Sequence, residues 1–314
     1  MKNKNIKLAV LKTGRGLFAV SSVVCMAIGF GTAAAHAHGF AGARFFPPTI
    51  QTDDPFVADE LALPTVSTFK NPGDPATRET DVGFSFSKVI FPNFALSVSE
   101  DYVHLAPDGM SSVNGFDNLG LNAKYQLWVS APHEAIFSVG ADWDVGGTGS
   151  KKIGADSANT FTPTIYFGKG FGDLPDALNY AKPFALTGVV GESLPTSADP
   201  NNLEWGFALE YSLPYLQSQV KDIGLPAPFK NMIPLVEFSF ETPENRGGGP
   251  TTGTINPGIL WGNKHLQIGA EAIIPVNSAT GNEIGAVVQV QFFIDDLLPK
   301  VFGHPIFGGN NHAL

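Results

Sequence analysis

Beyond about residue 60 the chain alternates. Over residues 119–129, Leu119, Leu121, Ala123, Tyr125, Leu127 and Val129 fall on one side of an extended backbone, with Gly120, Asn122, Lys124, Gln126 and Trp128 on the other. Successive side chains of a strand point to opposite faces, so this stretch reads as a strand between an apolar and a polar medium. The same period runs through residues 135–145, with Ser138, Gly140, Asp142 and Asp144 on the polar side. Over 203–213, Glu204 and Glu210 share a face opposite Trp205, Phe207 and Leu209. Residues 266–276 and 284–293 repeat it, with Gln267, Glu271, Gln289 and Gln291 on the polar side.

Weaker alternation fills the intervals at 82–90, 94–105, 161–171, 184–191, 233–241 and 252–261, and a first strand at 61–69 is interrupted by Pro64. Pro163 and Pro257 each lack a ladder donor and predict a bulge or a strand end. Past the N-terminus there is no apolar run of 18 residues, so any crossing of a membrane falls to strands. The connections also alternate. Those at 91–93, 131–134 and 262–264 are tight, whereas 71–79, 106–116, 146–159, 191–202 and 242–250 are long and rich in Gly, Ser, Asn and Pro. Short turns on one side and long loops on the other are the habit of outer-membrane barrels. The fold class expected is all-β: an antiparallel transmembrane β-barrel of about 12 strands over 61–294. Two intervals, 172–182 and 215–232, should be short in this scheme and are long; residues 217–222 within the second read as a short helix.

The N-terminus reads differently. Lys2, Lys4, Lys7, Lys12 and Arg15 precede an apolar run over 17–31 and a small-residue stretch over 32–37, the order of a secretory signal peptide. Cleavage after Ala37 is preferred over cleavage after Ala35. The expected division is a signal at 1–37, a periplasmic or plug segment at 38–60, the barrel, and a periplasmic tail at 295–314. The segment at 38–60 either enters the lumen or stays in the periplasm. Asp53-Asp54 and Asp295-Asp296 read as solvated turns.

Charge and composition narrow the partners. The one cysteine, Cys25, lies in the leader, so the mature chain has neither disulfides nor thiolate metal sites. Removing the five basic residues of the leader takes the formal charge from −10 to −15, which argues against nonspecific nucleic-acid binding. Outer-membrane lipid and a small-molecule solute are the partners expected; oligomeric state is open, and no cofactor is expected.

A barrel of about twelve strands is wider than the eight-stranded kind that side chains fill. The candidate lumen-lining residues are Asn122, Lys124, Asp142, Asp144, Glu204, Glu210, Glu237, Glu241, Glu271, Gln289 and Gln291. Their excess of carboxylates favours cations; against this stands simple hydration or pairing with loop residues, which lumen positions tolerate freely. Two other classes compete. A mature N-terminal His38 could chelate copper through its amine and imidazole, with His104, His133 or His265 as internal partner, as in a secreted copper-binding protein. An outer-membrane lipid-modifying enzyme would need an outward Ser beside an outward His, and neither His104 nor His265 has such a neighbour at period-two spacing.

On the signal, the glycine-punctuated strands at 118–130 and 283–294 and the loop rhythm over 60–294, the chain resembles the proteobacterial outer-membrane barrels assigned to transport, including the family linked to phenol-degradation operons. That resemblance implies passage of small molecules, hydrophobic ones among them, across the outer membrane.

Overall fold

The computed structural model describes residues 39–245 and 247–308. The expected leader, His38 and the end of the chain lie outside them. In chain order the strands are β1 (Phe40–Ala41), β2 (Arg44–Phe45), β3 (Glu60–Asn71), β4 (Thr77–Phe91), β5 (Phe94–Pro107), β6 (Val113–Phe116), β7 (Gly120–Ser130) and β8 (Ala135–Asp144). They continue as β9 (Thr160–Gly170), β10 (Phe184–Pro195), β11 (Asn202–Tyr211), β12 (Met232–Pro243), β13 (Thr252–Gly262), β14 (Leu266–Pro275) and β15 (Gly285–Phe293).

Strands β3 to β5 and β7 to β15 pair antiparallel in sequence order, and β15 returns to β3 from Ala286↔Thr68 to Phe293↔Glu60. This is a closed barrel of twelve strands, which leaves no unpaired edge to be satisfied in lipid. β6 is an addition that pairs with the upper half of β5, whose lower half pairs with β7. We call the rim where β3 begins and β15 ends the lower rim.

The alternation has the expected physical outcome. Val82, Leu96, Ile165, Leu209, Ile268 and Val288 point outward and are exposed, while Ala95, Tyr166, Ala208, Leu260 and Val287 point inward and are buried. An exposed apolar belt running round the whole sheet exceeds the patches that a water-soluble monomer carries and suits acyl chains.

Three details depart from simple alternation. Between Gln126 and Trp128 the β7–β8 register shifts by one residue, so Trp128 pairs with Phe137 and Val129 with Ile136. Below that bulge the faces exchange: Trp128 is 52% exposed on the outside and Val129 packs against the buried cluster of Phe46 and Ile136, the reverse of the unbroken pattern. The prolines break one ladder each. Pairing of β9 with β10 skips from Gly191↔Thr164 to Leu194↔Phe161 at Pro163, and β13 with β14 skips from Ile255↔Ile274 to Gly258↔Glu271 at Pro257. At Leu63 and Pro64, β3 carries an extra residue against both neighbours.

The long lower connections are ordered. One holds a 3-10 turn (Asp176–Ala181), and the other begins as a helix at Leu213–Tyr215, continued by a wider turn over Leu216–Val220. Ser212 caps it by accepting from the Tyr215 amide at 3.2 Å, and Pro214 suits the first turn. The helical stretch thus starts four residues before the one expected at 217–222. After a short helical turn (Ile294–Leu297), residues 298–308 fold back along the lower end of β4. The amides of Ile306 and Phe307 donate to the carbonyls of Val89 and Ile90 at 3.2 and 2.8 Å, and the rings of Phe302 and Phe307 pack on Phe86 and Phe91. β4 outruns β3 there, so this stretch pairs backbone groups that β3 does not reach. Asp295 is buried at this corner, contrary to the solvated turn expected.

Candidate functional site: the barrel lumen

Residues 39–59 run from the lower rim into the barrel and back. The β1–β2 hairpin places Arg44, which is fully buried, among three lower connections. Its guanidinium pairs with Glu134 at 3.2 Å, donates to the Pro183 carbonyl at 2.9 Å and to the Lys182 carbonyl, and stacks 3.7 Å from the Tyr215 ring centre. Glu134 also accepts from the Tyr215 hydroxyl at 2.7 Å and the Gly172 amide at 3.0 Å. Burial and the Glu134 carboxylate push the Tyr215 hydroxyl up to about 12. The two unexpectedly long intervals are therefore the walls of the Arg44 socket.

Deeper in the lumen the segment turns at residues 49–52 onto Glu237, a fully buried side chain on β12. The amides of Ile50, Gln51 and Thr52 donate to its carboxylate at 2.7, 3.0 and 2.6 Å, and the Thr52 hydroxyl adds a fourth bond at 2.7 Å. Charge-assisted bonds of this kind are roughly twice as strong as neutral ones. Two inward glycines make room: a Cβ at Gly206 would lie 2.7 Å from Thr52 Cγ2, and one at Gly269 2.6 Å from Ile50 Cδ1. On the opposite wall the Lys124 ammonium meets Asp53 at 2.8 Å and the Asp54 carbonyl at 2.7 Å, 4.5 Å from the Tyr166 ring centre. Ser138 donates to the Pro55 carbonyl, and Gln267 to that of Pro48 at 2.7 Å. Burial raises the Asp54 carboxyl to about 6 against the opposing pull of Lys124. The solvated turn expected at Asp53-Asp54 is corrected: Asp54 is buried, and Asp53 is an ion-pair partner inside the barrel.

Among the described residues, a larger and a smaller cavity lie beside the segment. The larger, about 480 Å³, lies above it and reaches Asn71, Glu79 and Thr252 at the upper ends of their strands. Asp53, Asp81, Asp142, Glu204 and Glu241 also line it, and no Lys or Arg does among the described residues. Glu204 and Glu241 are direct cross-strand partners on β11 and β12, an arrangement of like charges that costs stability. The smaller cavity, about 240 Å³, lies between the segment and the wall formed by β3, β4, β5, β7 and β15.

The lumen candidates therefore divide. Glu204 and Glu241 border the upper cavity, Asp142 borders both, and Asn122, Lys124, Asp144, Gln289 and Gln291 border the smaller one. Glu210, Glu237 and Glu271 are buried and line neither cavity. Sequence reasoning missed Arg44, Glu134 and the donors at 50–52. A single arginine in a non-periodic segment and a glutamate in a tight turn carry no local signal of pairing. His104, His133 and His265 belong to no group of three metal-ligating side chains among the described residues, and His38 lies outside them.

No protein-family model matches the chain, and no curated protein matches it in sequence. Among solved structures, it is similar to the COG4313 outer membrane channel from Pseudomonas putida F1, with 10% identity and a TM-score of 0.53, over 79% of this chain and 99% of that one. A KdgM porin aligns at 12% identity and a TM-score of 0.42, over 74% of this chain and 98% of that one. The first likeness shows the fold, that of an outer-membrane β-barrel.

Proposed function

We propose that the chain is an outer-membrane channel for small solutes, narrowed by its own residues 39–59 and selective for cations. The observation that carries this reading is the upper cavity: it opens toward one rim of a closed barrel and gathers carboxylates without a lining Lys or Arg among the described residues. Cavity walls bearing carboxylates lower the energy of a permeating cation and raise that of an anion. The Glu204–Glu241 pairing supports the same reading, since it concentrates negative charge at one place on the cavity wall at a cost in stability. The apolar outer belt supports residence in the membrane. The lower rim, with the tight turns and the start of β3, is then periplasmic, and residues 39–59 act as a plug.

The test has two stages. Membranes run on a gel with and without boiling should show a band shift, because a barrel persists in detergent until heated. In planar bilayers the wild type should prefer potassium over chloride, and Glu204→Gln with Glu241→Gln should cut that preference roughly two-fold or more. Unchanged selectivity would remove the upper cavity from the permeation route.

A second reading concerns the solute. The resemblance to the family linked to phenol-degradation operons implies a hydrophobic one. At Leu63–Pro64 the register of β3 shifts against both of its neighbours. There the wall is irregular beside Ala62, Gln289 and Gln291 of the smaller cavity, and Leu63 faces outward. Binding of an apolar dye to the detergent-solubilised barrel, displaced by phenol, would favour this reading; polar cavity walls favour the first.

A further inference from the structure

The two cavities are not independent. Asp53, at the tip of the N-terminal segment, and Asp142, on β8, line both, so these two side chains stand between the space above the segment and the space beside it. The smaller cavity continues downward from there. It passes Ser97 and Ser99 on β5 and Ser85 and Ser87 on β4, and reaches Glu60, the first residue of β3, close to the lower rim. These serines are inward positions on adjacent strands, with Ser85↔Ser99 and Ser87↔Ser97 directly paired. These small hydroxylated side chains, two on each strand, leave the smaller cavity between this wall and the segment. On the far wall the opposite holds: inward glycines let the segment touch β11 and β14, and Glu237 binds its backbone.

We infer that solute crosses the barrel with the segment in place, through a side passage between residues 53–58 and the serine wall of β4 and β5, with Asp53 and Asp142 at its narrowest point. Both carboxylates at this point have fixed partners. Lys124 holds Asp53 at 2.8 Å, and the Asn122 amide holds Asp142 at 2.7 Å and the Tyr166 hydroxyl at 3.3 Å. One ammonium beside two carboxylates leaves the constriction net negative, so the passage suits a small cation that can exchange hydration water for hydroxyl and carboxylate oxygens. Lys124 is then a specificity-determining residue, because it sets both the position of Asp53 and the charge at the narrowing. This inference rests on the channel reading proposed above and makes it specific.

The experiment uses the whole chain carrying Ser97→Cys. The only natural cysteine is Cys25, so the new thiol is unique beyond the expected leader. The purified barrel is reacted with a cationic methanethiosulfonate reagent, the adduct is quantified by mass, and single-channel conductance is measured in potassium chloride. Complete modification with a fall in conductance of two-fold or more is expected, and Ser85→Cys on the neighbouring strand should behave alike if the first variant does not fold. Full modification with a smaller change would overturn the inference, as would a thiol that the reagent cannot reach. Lys124→Met should in addition raise the preference for potassium over chloride, and an unchanged or lowered preference counts against the constriction. A folded wild type that conducts nothing defeats the channel reading and this route together; conduction indifferent to the adduct defeats the route alone.

Discussion

Arg44 illustrates how much one residue holds. It has no exposed surface, and its partners come from three separate lower connections. Removing one member of a buried pair leaves the other charge desolvated, which costs about 3–5 kcal/mol. Arg44→Ala should therefore lower the temperature at which the folded gel band is lost, with Glu134 left only the Gly172 amide and the Tyr215 hydroxyl. A transition at the wild-type temperature would show that the socket contributes nothing. Asp54 makes a pH-dependent contribution of known sign. Its carboxyl is raised from 3.8 to about 6 by burial, so the docked segment favours the protonated form. That stability is fully present below about pH 4 and lost as pH rises through 6, a difference of about 3 kcal/mol. Amide exchange over residues 50–56, corrected for its intrinsic rate, should be slower at pH 4.5 than at 7.5. Asp54→Asn should remove the difference, and a wild-type profile that is flat with pH would contradict the assignment.

At the scale of single elements, the alternation of a strand holds only as long as its register does. β7 obeys the period of two to Gln126 and then exchanges faces at one extra residue, Leu127. The exchange buries Val129 against Phe46 and Ile136, where an aromatic as large as Trp128 would displace the segment, and delivers Trp128 to the outer surface near the lower rim, where an indole suits the membrane interface. In vesicles containing bromine-labelled acyl chains, Trp128→Phe should reduce the quenched share of tryptophan fluorescence. Equal quenching in the variant and the wild type would place Trp128 in the lumen after all. The turn chemistry of the lower rim follows the same logic: the Ser212 cap and Pro214 make a short helix where its Tyr215 is required beneath Arg44.

For the whole molecule, the decisive relation is between the wall and the segment that fills it. The barrel closes without residues 39–59, since β15 pairs with β3 beyond them. The segment divides the lumen into a carboxylate-lined upper space and a serine-lined side space. Deleting residues 39–59 should leave the gel shift in place and raise single-channel conductance several-fold, because an aqueous channel's conductance grows with its open cross-section. A folded deletion variant with wild-type conductance would deny the segment its limiting role.

The sequence by itself determined the wall. Twelve segments, their faces up to the bulge in β7, and the tight lower turns were legible because two media act on alternate residues, and that contrast is written locally at every second position. It also located the prolines at which ladders break. Tertiary structure alone decided what occupies the interior. Arg44 meets Glu134 across 90 residues, and the amide of Thr52 meets Glu237 across 185; such pairings are selected by the closed shape of the barrel, and no periodicity in a segment of turns and prolines announces them. For the same reason Glu210 shares a strand face with Glu204, and Glu237 with Glu241, yet each differs from its neighbour in what covers it in the folded chain: the face of a strand is a local property, whereas what covers that face depends on where distant residues come to rest.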